Sequence, residues 1–152
     1  MIKAVIVDYA RTIADSVTDQ LFPEAQPFLM GLKERDLKAA LVSRTADPEG
    51  RRETFKKLGL HVFFDFFDVF PSEGSKDFTR VFEELDVKPE NTLVIGDRIK
   101  SEIFEGNKAG AITLWVKQGK FADELPETDE EQPDFTITSL SQALDIIDSL
   151  IK

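Results

Sequence analysis

Short, unbroken apolar runs alternate along the chain with longer stretches in which apolar residues recur at helical spacing. This pattern predicts strands at 2–7, 39–42, 67–70, 93–95, 112–116 and 135–138. It predicts helices between and after them, at 23–35, 48–58, 76–86, 99–109 and 140–150. The apolar runs do not alternate with polar residues, which indicates strands that are buried on both faces. We therefore predict an α/β fold, with a doubly wound parallel sheet between two layers of helices.

Length and composition narrow the class of protein. The chain has 152 residues, a formal net charge of −10, one histidine and no cysteine. A chain of roughly 150 residues can bury about 68–70% of its unfolded surface, so we expect one domain over residues 1–152. The absence of cysteine excludes disulfides, thiolate metal sites and a cysteine nucleophile. The negative charge argues against general nucleic-acid binding, because phosphate backbones bind basic surfaces.

The longest apolar runs are short compared with a membrane span. None approaches the roughly 18 residues that a spanning helix needs, and the first run stops at Asp8 without a cleavage-like segment after it. We therefore expect a cytoplasmic protein with no membrane contact.

Polar residues stand directly after the three clearest strands. Asp8 follows the first strand, Ser43 follows the second, and Asp97 follows the strand at 93–95 after one glycine. In doubly wound sheets, ligands bind beyond the carboxyl ends of the strands. The sequence therefore predicts that the chemistry of this protein is concentrated at that edge of the sheet.

Asp8 and Asp97 can be interpreted in two ways. Each carboxylate could cap the turn that follows its own strand. If the two lie together, they repel one another unless a cation lies between them. Oxygen ligands without a nearby histidine or cysteine favour Mg²⁺. We favour the metal site over two unrelated turns.

Four cations lie close to the same strand ends in an otherwise acidic chain: Arg11, Arg44, Lys76 and Arg98. Cations beside a divalent metal provide the charge that holds a phosphate group. Some of these arginines could instead point to solvent. Their grouping nevertheless predicts a phosphorylated ligand.

These residues resemble, in order, the four short motifs of the haloacid dehalogenase (HAD) superfamily. The matches are Asp8–Thr12 after the first strand, Ser43, Lys76, and Gly96-Asp97 followed by Glu102. The resemblance covers roughly residues 1–116. Each motif alone is weakly specific, and their order along the chain makes the resemblance strong.

The resemblance implies a Mg²⁺-dependent phosphohydrolase that works through an aspartyl-phosphate on Asp8. The catalytic residues that it implies are Asp8, Ser43 and Lys76. The phosphate-binding residues are Tyr9, Ala10, Ser43, Arg44 and Lys76. The Mg²⁺ ligands are Asp8, Asp97 and the backbone carbonyl of Ala10, with Glu102 orienting the metal or its water.

Two positions depart from the family pattern. Ala10 stands where the family's phosphatases carry a second aspartate that protonates the leaving group, help worth about 10²–10⁴-fold in rate. Arg11 stands where the family carries glycine. We therefore expect a slow phosphatase or, as the alternative, a catalytically impaired phosphate-binding, scaffold or regulatory protein.

The intervals between motifs leave no room for a cap domain. There are 35 residues from Asp8 to Ser43 and 33 from Ser43 to Lys76, so we expect an open site. An open site suits a large phosphorylated substrate, such as a phosphoprotein or a nucleic-acid end. It suits small metabolites badly, because water is poorly excluded. The aromatic segment Phe63–Phe70 fills the core or forms a homo-oligomer contact. The acidic stretch 123–134 is a solvated loop or an arm for a basic partner.

Overall fold

The centre of the molecule is a six-stranded parallel sheet. The computed structural model describes residues 1–72 and 76–152. Its strands are β1 (Ala4–Asp8), β2 (Lys38–Thr45), β3 (Phe66–Pro71), β4 (Thr92–Gly96), β5 (Ile112–Val116) and β6 (Phe135–Ile137). They lie in the order β3-β2-β1-β4-β5-β6, with every pairing parallel. The predicted α/β class is confirmed, and the strand order reverses between β1 and β4, where such sheets bind ligands.

Helices cover both faces of the sheet. They are α1 (Ala25–Glu34), α2 (Pro48–Lys57), α3 (Thr79–Leu85), α4 (Phe104–Ala109) and α5 (Ala143–Ile151). The buried residues of α1, α2 and α5 belong to the larger core cluster on one face. Those of α3 belong to the second cluster on the other face, where α4 also packs through Gly106 against Val94. None of the helices in the described ranges is long and apolar enough to cross a bilayer.

The side chains of β1 point alternately to the two faces of the sheet, which determines which of them lies at the site. Val5, Val7 and Tyr9 belong to the larger core cluster, whereas Ala4 and Ile6 belong to the second. Both faces of β1 are thus buried, which explains its unbroken apolar run. Because successive side chains point to opposite faces, Asp8 and Tyr9 diverge at the end of this strand.

Three local predictions are wrong in detail. β2 continues to Thr45, because its pairing with β3 extends as far as Pro71, so Ser43 and Arg44 lie within the strand. Lys76 precedes α3, which begins at Thr79, whose backbone amide donates a hydrogen bond to Asp77 Oδ1 at 2.9 Å. The predicted helix at 99–109 begins as a π-helical turn, Ile99–Ile103, before it continues as α4. The sequence Ser72-Glu-Gly-Ser75 before Lys76 is typical of a turn, and residues 73–75 lie outside the described residues.

The segment Phe63–Phe70 packs partly into the larger core. Phe64 is 8% exposed, and the Phe67 ring centroid lies 5.0 Å from that of Phe55. These contacts account for part of the aromatic run. A homo-oligomer contact through this segment stays a prediction.

Candidate functional site

Three buried carboxylates meet where the sheet order reverses. Asp8 ends β1, Asp97 follows β4, and Glu102 lies in the π-helical turn before α4. One oxygen atom from each lies within 4.8 Å of the others, and none of these residues is more than 3% exposed. Gly96 permits this approach, because a Cβ atom there would come within 2.7 Å of the Glu102 Cβ. The fold thus brings together three acids that belong to the first and the last of the four motifs.

Lys76 supplies a buried positive charge to this cluster. Its Nζ donates a hydrogen bond to Asp8 Oδ1 at 2.6 Å and lies 3.7 Å from Glu102 Oε2. Burial lowers the pKa of Lys76, but the charges of Asp8 and Glu102 outweigh that effect and leave its pKa raised. Lys76 therefore stays protonated beside Asp8.

One lysine does not balance three carboxylates. Burial, followed by the charge of Glu102, raises the pKa of Asp97 to about 6 despite the nearby Arg11. Burial, followed by the charge of Asp8, raises the pKa of Glu102 to about 7. Both values indicate that the cluster holds more negative charge than its surroundings stabilise. A further cation at this point would relieve the repulsion.

The donor set fits Mg²⁺. Asp97 Oδ1 is buried and has no hydrogen-bond partner among the described residues, and an unpaired buried carboxylate oxygen is costly. The group offers carboxylate oxygens only, which is the ligand chemistry that Mg²⁺ prefers. Ala10, whose carbonyl is a further predicted ligand, lines the adjoining cavity. Asp8, Asp97 and Glu102 are therefore suited to a divalent cation with several bound waters.

Arg11 holds a strained backbone conformation beside Asp97. Its φ angle is 63°, in the left-handed region that costs a non-glycine residue roughly 1–2 kcal/mol. The turn is held by hydrogen bonds from Arg11 N to Ala14 O at 2.7 Å and from Gln118 Nε2 to Arg11 O at 3.1 Å. The side chain, which is 30% exposed, donates from Nε to Asp97 Oδ2 at 3.1 Å. Its guanidinium also lies 4.9 Å from the centroid of the Phe121 ring.

A cavity of about 300 Å³ adjoins the carboxylates. Its positively charged lining residues are Arg11, Arg44, Arg51, Lys76 and Arg98. The lining also contains Asp8 and Glu102, together with hydroxyl groups such as that of Ser16. In a chain with a net charge of −10, this concentration of cations makes the cavity suitable for an anion. All four cations that the sequence singled out lie around it.

Arg51 is a cavity residue that the sequence analysis missed. Its Nη1 donates a hydrogen bond to Ser43 Oγ at 2.9 Å, and its guanidinium lies 5.0 Å from the centroid of the Tyr9 ring. Arg51 is the fourth residue of α2, whose N-terminus follows the carboxyl end of β2. That position relative to the strand end is the signal that could have identified it.

Ser43 and Tyr9 do not line the cavity themselves. Ser43 is 1% exposed and reaches the cavity lining through its bond to Arg51. Tyr9 is fully buried; its amide donates to Val42 O at 3.0 Å and its hydroxyl to Asp19 Oδ1 at 2.7 Å. Among the predicted phosphate-binding residues, Ala10, Arg44 and Lys76 are the ones that line the cavity.

Neighbouring residues fix the position of the Asp97 loop. Trp115 Nε1 donates to the backbone carbonyl of Asp97 at 2.9 Å. Glu124 accepts a hydrogen bond from Ile99 N at 2.9 Å and lies 3.6 Å from Arg98 Nε. The acidic stretch 123–134 is largely exposed. Its residue Glu124 nevertheless supports the loop that carries Asp97.

Comparisons with known proteins agree with this geometry. Residues 76–143 match a family profile described as HAD-hydrolase-like. The chain is 32% identical over 136 residues to a glyceraldehyde 3-phosphate phosphatase from Methanopyrus kandleri, covering 86% of this chain and 58% of that protein. It is 28% identical over 127 residues to a phosphoserine phosphatase from Thermus thermophilus, covering 80% of this chain and 49% of that protein.

A solved structure supports the fold over nearly the whole chain. An uncharacterised protein from Listeria monocytogenes serotype 4b superposes with a TM-score of 0.81 at 22% identity, covering 99% of both chains. The chain spans about half the length of the curated relatives it matches. The motif residues converge on one site, and the fold and the family profile agree with them. The chain belongs to the haloacid dehalogenase superfamily.

Proposed function

We propose that this protein is a Mg²⁺-dependent phosphohydrolase that acts on phosphate monoesters through an aspartyl-phosphate. The observation that carries the proposal is the cluster of three buried carboxylates beside a cavity lined by five cations. The carboxylates suit a divalent cation, and the cavity suits the phosphate group that such a cation accompanies. The names of the relatives support the same class of reaction.

Asp8 is the nucleophile in this proposal. One of its oxygens attacks the phosphorus, the bond between phosphorus and the substrate oxygen breaks, and the phosphoryl group stays on Asp8 as an acyl phosphate. Water then attacks the phosphorus, orthophosphate leaves, and the carboxylate is restored. The route divides one difficult hydrolysis into two easier steps. Lys76, at 2.6 Å from Asp8, offsets the charge that accumulates between the carboxylate and the phosphate.

Asp8, Asp97 and Glu102 would hold the Mg²⁺, with the carbonyl of Ala10 as a further ligand. The bound ion neutralises phosphate charge, so that one anion can approach another. The cationic lining, which includes Arg44, neutralises the remaining charge. Ser43 contributes by accepting a hydrogen bond from Arg51, whose guanidinium is one of the five cations that line the cavity.

The leaving group sets the expected limit on the rate. Ala10 has no proton to give, so the departing alkoxide takes its proton from water. General acid help of about 10²–10⁴-fold is therefore missing, and we expect slow turnover with alkyl phosphates. Aryl phosphates, whose leaving groups need no proton, should react faster.

Among the described residues, no second folded unit covers the cavity at this edge of the sheet. We propose that phosphorylated macromolecules, as well as small phosphate esters, can reach it. The small esters named for the relatives, glyceraldehyde 3-phosphate and phosphoserine, are the first candidates to assay.

The test compares wild type with Asp8→Asn on 4-nitrophenyl phosphate in the presence of Mg²⁺. Asp145→Asn is the matched control, because Asp145 is an exposed residue on α5. We expect Asp8→Asn to lose turnover and Asp145→Asn to keep it. Equal rates in wild type and Asp8→Asn would remove Asp8 as the nucleophile and overturn the proposal.

The second candidate function is a phosphate-binding, scaffold or regulatory protein without turnover. Ala10, together with the ion pair between Arg11 and Asp97, favours it. This candidate predicts that beryllofluoride or orthophosphate binds with Mg²⁺ while aryl phosphates are not hydrolysed. Calorimetric binding and the turnover assay on the same preparation separate the two functions.

A further inference from the structure

We propose that Arg11 is a built-in counter-cation of the metal site, which stabilises the metal-free cluster and weakens its hold on a divalent cation. The inference rests on the proposed function only in taking Asp8, Asp97 and Glu102 as the metal-binding group. Arg11 is a positioning residue here, because it acts on the metal through Asp97.

The contact between Arg11 and Asp97 leaves one carboxylate oxygen available. Arg11 Nε bonds to Asp97 Oδ2 at 3.1 Å, whereas Asp97 Oδ1 is buried without a partner among the described residues. A divalent cation at Oδ1 would therefore share one carboxylate with the guanidinium. Two positive groups on a single buried carboxylate repel one another, and that repulsion weakens metal binding.

The position of Arg11 is built into the fold. Its backbone keeps φ at 63°, and hydrogen bonds from its own amide to Ala14 O and from Gln118 to its carbonyl hold the turn. The guanidinium also rests on the Phe121 ring at 4.9 Å. A freely moving surface arginine would have neither the held turn nor the ring contact.

The charges around the metal-binding group show which state Arg11 favours. The three carboxylates carry three negative charges, and Lys76 and Arg11 carry two positive charges. The net charge of the group is therefore one negative charge without metal and one positive charge with a divalent cation. Without Arg11, the same group would carry two negative charges without metal and none with it. Arg11 thus moves the balance toward the metal-free state.

The experiment measures Mn²⁺ binding to the purified 152-residue chain by electron paramagnetic resonance of the free ion. Arg11→Gly and Arg11→Asn remove the charge, and both residues tolerate a left-handed backbone. Arg11→Lys keeps the charge. Lys120→Gln is the matched control, because Lys120 is exposed and its ammonium lies 5.4 Å from the centroid of the same Phe121 ring.

We expect Mn²⁺ to bind at least about tenfold more tightly in Arg11→Gly and Arg11→Asn than in wild type, a difference of at least one decade in Kd. Arg11→Lys and Lys120→Gln should stay within about threefold of wild type, well under that decade. In the presence of a chelator, the melting temperature of Arg11→Asn should fall. Tighter metal binding together with a lower metal-free melting temperature is the expected signature, because a merely structural role would impair both properties.

Unchanged or weaker Mn²⁺ binding in both Arg11→Gly and Arg11→Asn would overturn the inference. Absence of Mn²⁺ binding in every protein would overturn it as well. Turnover of 4-nitrophenyl phosphate is a separate readout: its loss in a chain that still shows the Mn²⁺ pattern would contradict the proposed function alone.

Discussion

Replacing Glu102 with glutamine should stabilise the metal-free protein at alkaline pH. Glu102 is 2% exposed and shares a small volume with Asp8 and Asp97. Burial and the charge of Asp8 raise its pKa from 4.5 to about 7, so the folded state resists its ionisation. Glutamine keeps the shape of the side chain and carries no charge at any pH.

The size of the effect follows from the pKa of Glu102. A shift from 4.5 in the unfolded chain to about 7 in the folded one corresponds to about 3 kcal/mol, at 1.36 kcal/mol per pKa unit. Because the folded pKa is raised, the associated stability is fully present below about pH 4.5 and is lost as the pH rises through about 7. Glu102→Gln escapes that loss and should be up to about 3 kcal/mol more stable than wild type at pH 8.

Urea unfolding, followed by circular dichroism in the presence of a chelator, measures this difference between pH 5 and pH 8. The free energy of unfolding of wild type should fall with rising pH, and that of Glu102→Gln should fall less. Glu90→Gln, at an exposed position, is the control and should follow wild type. A Glu102→Gln variant that is no more stable than wild type at pH 8 would refute the reasoning.

Three further changes test other parts of the site. Lys76→Met leaves Asp8 without its buried partner and should lower the free energy of unfolding by about 3–5 kcal/mol, measured by urea titration; a loss under about 1 kcal/mol would contradict the pairing. Arg51→Gln should weaken orthophosphate binding about tenfold in calorimetry, as expected for a lost charged hydrogen bond, and unchanged binding would exclude Arg51 from the anion site. Ala10→Asp should raise turnover of alkyl phosphates by about 10²-fold or more if the missing acid limits the rate. If Ala10→Asp alone does not raise turnover but Ala10→Asp combined with Arg11→Gly does, Arg11 neutralises or obstructs the new carboxylate.

The main features of the fold and site could be predicted because both follow from short-range patterns. Buried parallel strands appear as unbroken apolar runs, and their carboxyl ends meet at one edge of the sheet. That rule alone is enough to predict that Asp8, Ser43 and Asp97 lie near one another. Lys76 could be predicted as a cation near the strand ends, whereas its role beside Asp8 came from the resemblance. Glu102 came from the resemblance alone, since nothing in its local sequence distinguishes it from an ordinary charged residue.

The remaining site residues depend on where neighbouring elements are placed. Arg51 reaches Ser43 only because α2 starts at the end of β2 and turns its first residues toward the site. Trp115 holds the carbonyl of Asp97 from the neighbouring strand β5, a contact that register rather than composition decides. The burial of Tyr9, by contrast, could have been predicted from the sequence. Successive side chains of a strand point to opposite faces, so the residue after Asp8 points into the core.

Ala10 and Arg11 change the electrostatics of the site in the same direction. Relative to the family motif, one removes a carboxylate and the other adds a guanidinium, so the local charge becomes more positive by two units. Such a site favours the binding of an anion over the protonation of a leaving group, because the lost group is the acid and the gained group does not release a proton at neutral pH. On the proposed function, we therefore expect slow turnover and firm phosphate binding as two consequences of one pair of substitutions. The two candidate functions use the same residues, and the turnover rate relative to the affinity for orthophosphate is the quantity that distinguishes them.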